Sequence, residues 1–515
     1  MPNRSTDALY QLIHSLQKSE KRNFKLYAQR NSGNNDLKIV QLFNAIDRQQ
    51  IYDEDALIRK NPELKKQQLP NLKAHLYKQI LNSIRLLRSN TNARLQLYEQ
   101  LEYAKILYDK GLYHQSLRFI EKIKETAKQM QELPILIHIL EEEKKIEALH
   151  ITRSLQDKAD ELTKEVNDAN ERFVRRSLLS NLALQLYGWY IKNGLARNER
   201  DEKEINEFFK KHMFGALCKP EGFFERMYYY QCYCWYAFIR QDFLMYYRYS
   251  KKWVEEFDKQ PEMLATETGN FIKGIHNLLN AHFTLRDFEG FKKSLKKLES
   301  FAESDVVTEN DNNRIQAFVY LYIAKINGHF LEGTFKEGLK LVDYVNAKLE
   351  EYELFLDKHR TLIFYYKIAS LYFGAGYYGR SIDFLNKIIN WKVNLRSDLQ
   401  CYARLLHLIA HYELGNFQLL EYLVKSVYRF MAKMENLSRV EEEMFGFLKR
   451  SFHLSPKELK PEFKKLLDKI SAFQSSKFET RAFVYLDIVS WLESKVSERP
   501  IAEIIRKKYL DKKRF

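Results

Sequence analysis

Residues 365 to 389 read YYKIASLYFGAGYYGRSIDFLNKII. Two amphipathic segments flank Gly374-Ala375-Gly376, where glycine can take the positive φ that ends a helix. The stretch is therefore a helical hairpin. Its pattern recurs almost intact at Tyr103, Ala104, Leu107, Gly111, Tyr113, Ser116, Ile120 and Ile123. Other copies have drifted. Gly415 and Phe417 keep the turn while Leu420 fills the small site, and Gly333-Thr334-Phe335 keeps glycine with Gly338 small. At Gln241-Asp242-Phe243 and Arg286-Asp287-Phe288 the turn glycine is gone. With weaker turns near Ser154 and Gly194, the turns fall about 39 to 48 residues apart.

These residues resemble the tetratricopeptide repeat (TPR) family, whose unit pairs helix A with helix B through a turn close to Gly-x-Tyr. Tyr365, Ile368, Ala369 and Tyr372 fall at its helix A positions, followed by Gly376, Tyr378, Ser381, Leu385 and Ile388. The family's unit is about 34 residues, so longer helices or linkers are expected here. The resemblance implies an all-α, TPR-like α-solenoid, a right-handed superhelix of helical hairpins with helical caps at both ends. It covers residues 96–435 with about eight degenerate hairpins, and a break near 196–222 offers a division into two halves.

Composition agrees with a helical chain. Gly (17) and Pro (9) make up about 5% of the 515 residues, against roughly 12% in average usage, which argues against turn-rich β domains. Charged residues at 30% beside apolar residues at 45% suit helices with one wet and one buried face. The first residues lack the apolar core of a secretory signal, and no apolar run approaches membrane-spanning length. Four cysteines (Cys218, Cys232, Cys234 and Cys401) form no disulfide framework. A cytoplasmic protein is expected.

Residues 1–95 differ from the repeats and read as an N-terminal helical cap. Ser5-Thr6-Asp7 can cap a helix carrying Leu9, Leu12, Ile13 and Leu16, a second carries Ile39, Leu42, Phe43 and Ile46, and Asp53-Glu54-Asp55 starts a short third. The most regular begins at Leu69, with Leu72, Leu76, Ile80, Ile84 and Leu87 along one seam. Residues 436–515 read as a C-terminal cap. Ser455, Pro456 and Glu458 start a helix to about Phe473, another covers Phe478 to Val496, and Pro500 begins a last one into a basic tail.

The formal charge is +16. Arg59 to Arg94 hold nine basic residues against Glu63, a local excess of about +8, and residues 499–515 add about +5. Lys73, Lys78, Arg85, Arg88, Lys507, Lys508, Lys512, Lys513 and Arg514 are therefore candidate contacts for an anion or nucleic acid. The basic helix after a short helix and turn also raises a helix-turn-helix reading, although no strand hairpin stands by to form a wing.

Catalytic and metal patterns are missing. His407 and His411 have chelating spacing without a third ligand, and HLIAH lacks the glutamate of HExxH. Cys232 and Cys234 lie in YYYQCYCWYAF, where small thiols among aromatics read as core. Neither phosphate-loop nor dinucleotide glycines occur in a suitable context. No catalytic residue, metal or cofactor is expected, and the chain reads as a non-enzyme.

The 33 Tyr and 34 Phe carry the binding signal. Tyr229, Tyr233 and Tyr236 with Tyr365 and Tyr372 are the expected lining of a groove for a peptide or protein segment, which makes the chain an interaction scaffold. Two alternatives stand beside it. One is a nucleic-acid or ribonucleoprotein factor acting through the basic helix and tail; the other is a peptide-responsive bacterial regulator, by fold analogy.

Overall fold

The computed structural model describes residues 7–30, 34–89, 92–150, 156–214, 220–391, 396–434, 437–452, 454–479, 482–483 and 486–512. Among these residues every regular element is helical. None of the helices is long and apolar enough to cross a membrane. The chain forms two compact units, residues 1–171 and 172–515.

The first unit contains α1 (Ala8–Ser15), α2 (Lys18–Arg30), α3 (Asn34–Asp47), α4 (Glu54–Lys60), α5 (Leu69–Ser89), α6 (Ala93–Asp109), α7 (Tyr113–Gln129) and α8 (Leu133–Leu149). Of the expected cap Ser5-Thr6-Asp7, Asp7 caps α1, its carboxylate accepting from the backbone N–H groups of Leu9 and Tyr10, and residues 5 and 6 lie outside the described residues. Leu16 then turns extended, with ψ 136°, and a separate α2 follows that the sequence reading had not resolved. Leu69, Leu76 and Ile80 of the α5 seam are buried, whereas Leu87 is 40% exposed, so the seam stops a turn before the helix does.

A second core in this unit joins α6, α7 and α8. Ser116 sits where α7 crosses α6, and its hydroxyl donates to the carbonyl of Ala104 at 2.7 Å. The long α9 (Gln156–Asn193) spans the boundary between units, for a reason visible in its apolar residues. Leu162, Val166 and Ala169 join the core of α6 to α8. Leu179, Leu182 and Leu186 join a core of the second unit.

The second unit runs through α10 (Glu199–Phe214), α11 (Phe223–Ile239), α12 (Phe243–Lys259), α13 (Met263–Thr266), α14 (Thr268–Leu285), α15 (Phe288–Ala302), α16 (Asp305–Thr308) and α17 (Asp311–Glu332). It continues with α18 (Phe335–Gly338), α19 (Val342–Glu351), α20 (Lys358–Gly374), α21 (Tyr378–Ile389), α22 (Ser397–Glu413) and α23 (Phe417–Lys433). It closes with α24 (Arg439–Ser451), α25 (Pro456–Phe473), α26 (Ile488–Ser497) and α27 (Ile501–Lys512). Helices joined by short turns pack in pairs: α11 with α12, α14 with α15, α20 with α21, α22 with α23. The first helices of successive pairs also touch, α14 against α17, α17 against α20 and α20 against α22.

The turns explain why drifted copies still fold. Gly111, Gly333, Gly376 and Gly415 all have positive φ, and so do Gln241 (61°) and Arg286 (53°), where glycine is replaced. A left-handed non-glycine residue costs about 1 kcal/mol. The following aspartates offset it. Asp242 accepts from the N–H of Met245 and Asp287 from that of Gly290, so each starts the next helix with a satisfied cap. The turn expected near Ser154 lies outside the described residues.

At the C-terminal end Ser455 and Glu458 form the expected reciprocal cap of α25. Of the helix expected from Phe478 to Val496, Ala482 and Phe483 are helical, residues 480, 481, 484 and 485 lie outside the described residues, and α26 starts at Ile488, where Asp487 caps it by accepting from the N–H of Ser490. α27 returns to the α17–α18 turn, where a Cβ on Gly333 would lie 2.6 Å from the carbonyl oxygen of Ala502. Trp491 of α26 donates its indole N–H to Glu413 at 2.6 Å, and Lys495 pairs with the same carboxylate.

Candidate functional site

Two of the cavities in the second unit share part of their wall, and the helices that open the pairs supply most of the smaller and part of the larger. The larger measures about 620 Å³, with Phe243, Phe283, Phe288, Phe330, Phe335 and Phe373 in its wall and Phe483, Leu486, Asp487 and residues of α27 closing one side. The smaller measures about 210 Å³ and shares Phe283, Thr284 and Phe330 with the larger.

Helical periodicity places the smaller cavity's lining. From α14 come Lys273, His276, Asn277 and Asn280; from α17, Tyr320, Ile323 and Asn327; from α20, His359, Arg360, Ile363, Tyr366 and Lys367. Each set steps by three or four residues, one face of its helix. Tyr187 and Tyr190 of α9 and Trp235 and Phe238 of α11 supply an aromatic wall.

The charges of this lining do not cancel. Arg360 pairs with Asp357 at 3.0 Å, and Arg396 makes a buried two-point pair with Asp398 at 2.8 and 2.9 Å. Lys273 and Lys367 have no carboxylate among the described residues within ion-pair reach, and no Asp or Glu lines the cavity. The Lys273 ammonium sits 5.0 Å from the ring centre of Tyr187 and 5.7 Å from that of Trp235. Lys367 donates to the side-chain oxygen of Asn327 at 2.5 Å and lies 5.4 Å from the centre of Phe330.

The titration behaviour follows from this crowding of positive charge. Burial pushes Lys367 down from 10.5 to about 8. Burial also lowers Lys273, and Arg360 adds to that lowering. His276, stacked on Tyr320 at 4.2 Å, is pushed down to about 3 by burial and then by Lys367, Arg360 and Lys273, so these three cations converge on one imidazole. His359 falls to about 4 through burial and Arg396, and its Nδ1 is buried without a hydrogen-bond partner.

The five tyrosines expected to line a groove stand elsewhere. Tyr229 packs 4.8 Å from Tyr233, and Tyr233 stacks on Tyr249 at 4.5 Å. Tyr236 is buried against Phe209 at 3.9 Å and donates its hydroxyl to Asn206 at 2.7 Å. Tyr365 and Tyr372 are half-buried beside Phe384. None of the five lines either cavity. From α11 it is Trp235 and Phe238 that do so, and from α20 it is Tyr366 rather than Tyr365.

The expected anion contacts divide. Lys78 and Arg85 are exposed on α5. Arg88 reaches Glu20 at 3.2 Å. Lys73 is held by Asp7 and by the Tyr52 hydroxyl; burial works to lower its pKa, but these hydrogen bonds outweigh it and hold it above the ordinary value. In the tail Lys507 is exposed, whereas Lys508 pairs with Glu493 at 2.7 Å. Lys513, Arg514 and the side chain of Lys512 lie outside the described residues.

Of the chemical candidates, His407 and His411 pack edge to face at 4.4 Å. Among the described residues no cluster of three His, Cys, Asp or Glu could hold a metal ion. Cys234 is fully buried beside Ser250 and burial pushes its thiol up to about 12, while Cys232 is pushed higher still. Comparison with protein-family models and with curated proteins finds no match for this chain.

Proposed function

We propose that this is a non-catalytic binding protein: a TPR-like helical solenoid whose inner wall holds a peptide or protein segment, so that the chain acts as a scaffold or adaptor. The observation that carries the reading is the larger cavity. Six phenylalanines from α12, α14, α15, α17, α18 and α20 converge on about 620 Å³ of space. Such a cluster of rigid aromatic walls suits the apolar anchors that dominate peptide recognition. The contacts of first helix to first helix supply the stacking a repeat array needs to bury its apolar stripes.

The chemistry of the nearby groups supports the non-catalytic part. His276 and His359 titrate near 3 and 4, too low for effective proton abstraction at neutral pH, and the buried thiols are held protonated. Among the described residues a nucleic-acid role would rest on Lys78, Arg85 and Lys507, since Lys73, Arg88 and Lys508 are engaged by carboxylates.

Selection of displayed random peptides on the full chain, followed by calorimetry, tests the reading. Selected peptides should share apolar anchors and bind at least tenfold more weakly to Phe288→Ala and Phe335→Ala. Their affinity should barely change between about 50 and 200 mM salt, where a phosphate-tracking interaction would collapse. Failure to select any peptide, or selected peptides indifferent to both substitutions, would remove the basis for the reading.

A further inference from the structure

The smaller cavity asks for a ligand of its own chemistry. Four cationic side chains line it, two of them paired with carboxylates from outside the lining and two, Lys273 and Lys367, without one. A buried site with an excess of about two positive charges is costly unless an anion completes it. Its walls are otherwise aromatic and aliphatic, and three asparagine side chains and the unpartnered Nδ1 of His359 add polar groups around the same space.

Size narrows the choice. A cavity of about 150 Å³ accommodates a benzene ring, so about 210 Å³ accommodates one ring and one oxyanion group, roughly ten non-hydrogen atoms. We propose that this cavity is a binding site for a small single-ring aromatic oxyanion, a carboxylate or phosphate ester, with the oxyanion between Lys273 and Lys367 and the ring against Tyr187, Trp235 and Phe238. The site is independent of peptide binding in the larger cavity, although the shared Phe283, Thr284 and Phe330 give the two a common wall.

The depressed basicity of both lysines fits the same geometry, since each would be restored toward its ordinary value by a neighbouring anion. Arg360 and Arg396 remain engaged by Asp357 and Asp398 and serve as fixed members of the wall.

Calorimetric titration of the full chain at low ionic strength and pH 7 tests the assignment, with phenyl phosphate, benzoate, inorganic phosphate and benzyl alcohol as probes. At least one of the two ring-bearing anions should bind at one site per chain, and at least tenfold more tightly than both inorganic phosphate and benzyl alcohol. The stronger of phenyl phosphate and benzoate identifies which oxyanion the site prefers. Lys273→Met and Lys367→Met should each weaken that anion at least tenfold, whereas Lys425→Met, on the exposed face of α23, should leave it unchanged. Circular dichroism confirms that each variant is folded; should one methionine variant fail to fold, the other decides. Equal affinity for the neutral alcohol, unchanged binding in a folded methionine variant, or no binding of either anion overturns the proposal without touching the peptide reading. A proposed peptide site that fails its own selection leaves this one standing.

Discussion

Replacing Lys367 by methionine should make the protein more stable at neutral pH and not at pH 9.5. Lys367 is driven from 10.5 to about 8 by burial, which corresponds to about 3 kcal/mol against its protonated form in the folded state. The sign follows from the direction of the shift. The folded pKa is the lower one, so the cost is full below about pH 8, fades between 8 and 10.5, and is absent above. Methionine keeps an unbranched apolar stem against Phe330 and Phe283 but abandons the 2.5 Å bond to the buried Asn327, a loss of about 1 kcal/mol. The net gain at pH 7 is about 2 kcal/mol. For a unit of about 340 residues the unfolding entropy is roughly 0.7 kcal/mol per kelvin, so the gain raises Tm by about 3 °C. At pH 9.5 only about 1 kcal/mol of the penalty remains, and the lost hydrogen bond cancels it. Scanning calorimetry of both proteins at the two pH values reads the difference directly. A variant that melts lower at pH 7, by the same margin as at pH 9.5, would show that Lys367 carries no uncompensated charge penalty.

Three further tests address the frame around the cavities. Gly333 and Gly376 both have positive φ, but an added Cβ at Gly333 meets the backbone of Ala502 and Arg506, while one at Gly376 meets nothing within 4 Å. Gly376→Ala should cost about 1 kcal/mol; Gly333→Ala should cost more and release α27, read as faster hydrogen exchange or proteolysis confined to residues 501–512. Ser116 and Ser381 occupy equivalent small sites, yet the Ser116 hydroxyl donates to Ala104 whereas that of Ser381 is buried without a partner. Ser116→Ala should therefore lose about 1 kcal/mol in denaturant titration, and Ser381→Ala should be neutral or stabilising. Cys232, Cys234 and Cys401 are all buried, and their alkylation, mapped by mass spectrometry at pH 8, should be slow until denaturant unfolds the second unit.

The helical pairs were legible because two local signals coincide at each turn: a residue that can stand at positive φ and an apolar residue two places on. Where glycine is lost, at Gln241 and Arg286, the aspartate that follows keeps the turn by capping the next helix. The break between units was harder to see. It falls inside one uninterrupted helix, α9, whose halves serve different cores, and helical periodicity carries no mark of which neighbour each turn will meet.

The smaller cavity was hidden for a related reason, and the stretch YYKIAS shows it. Tyr365 and Tyr372, the groove residues expected by resemblance, share one face of α20. One residue along the helix turns the side chain by about 100°, so Tyr366 and Lys367 face a different neighbour. Lysine in an amphipathic helix ordinarily marks the wet face, and read alone Lys367 is unremarkable. Its meaning arises only when Lys273, about two repeats earlier, and Arg360, Asn327 and His276 arrive at the same space with no carboxylate among them. The available signal was the polar residues His276, Asn277, Asn280, Asn327 and Lys367, each set into a first helix that is otherwise mostly apolar on the same side. Packed helical pairs make such residues additive: a few polar residues on each of three first helices together build a charged chamber. The apolar positions hold the helices in register, and the exceptions to them determine what the chamber can bind.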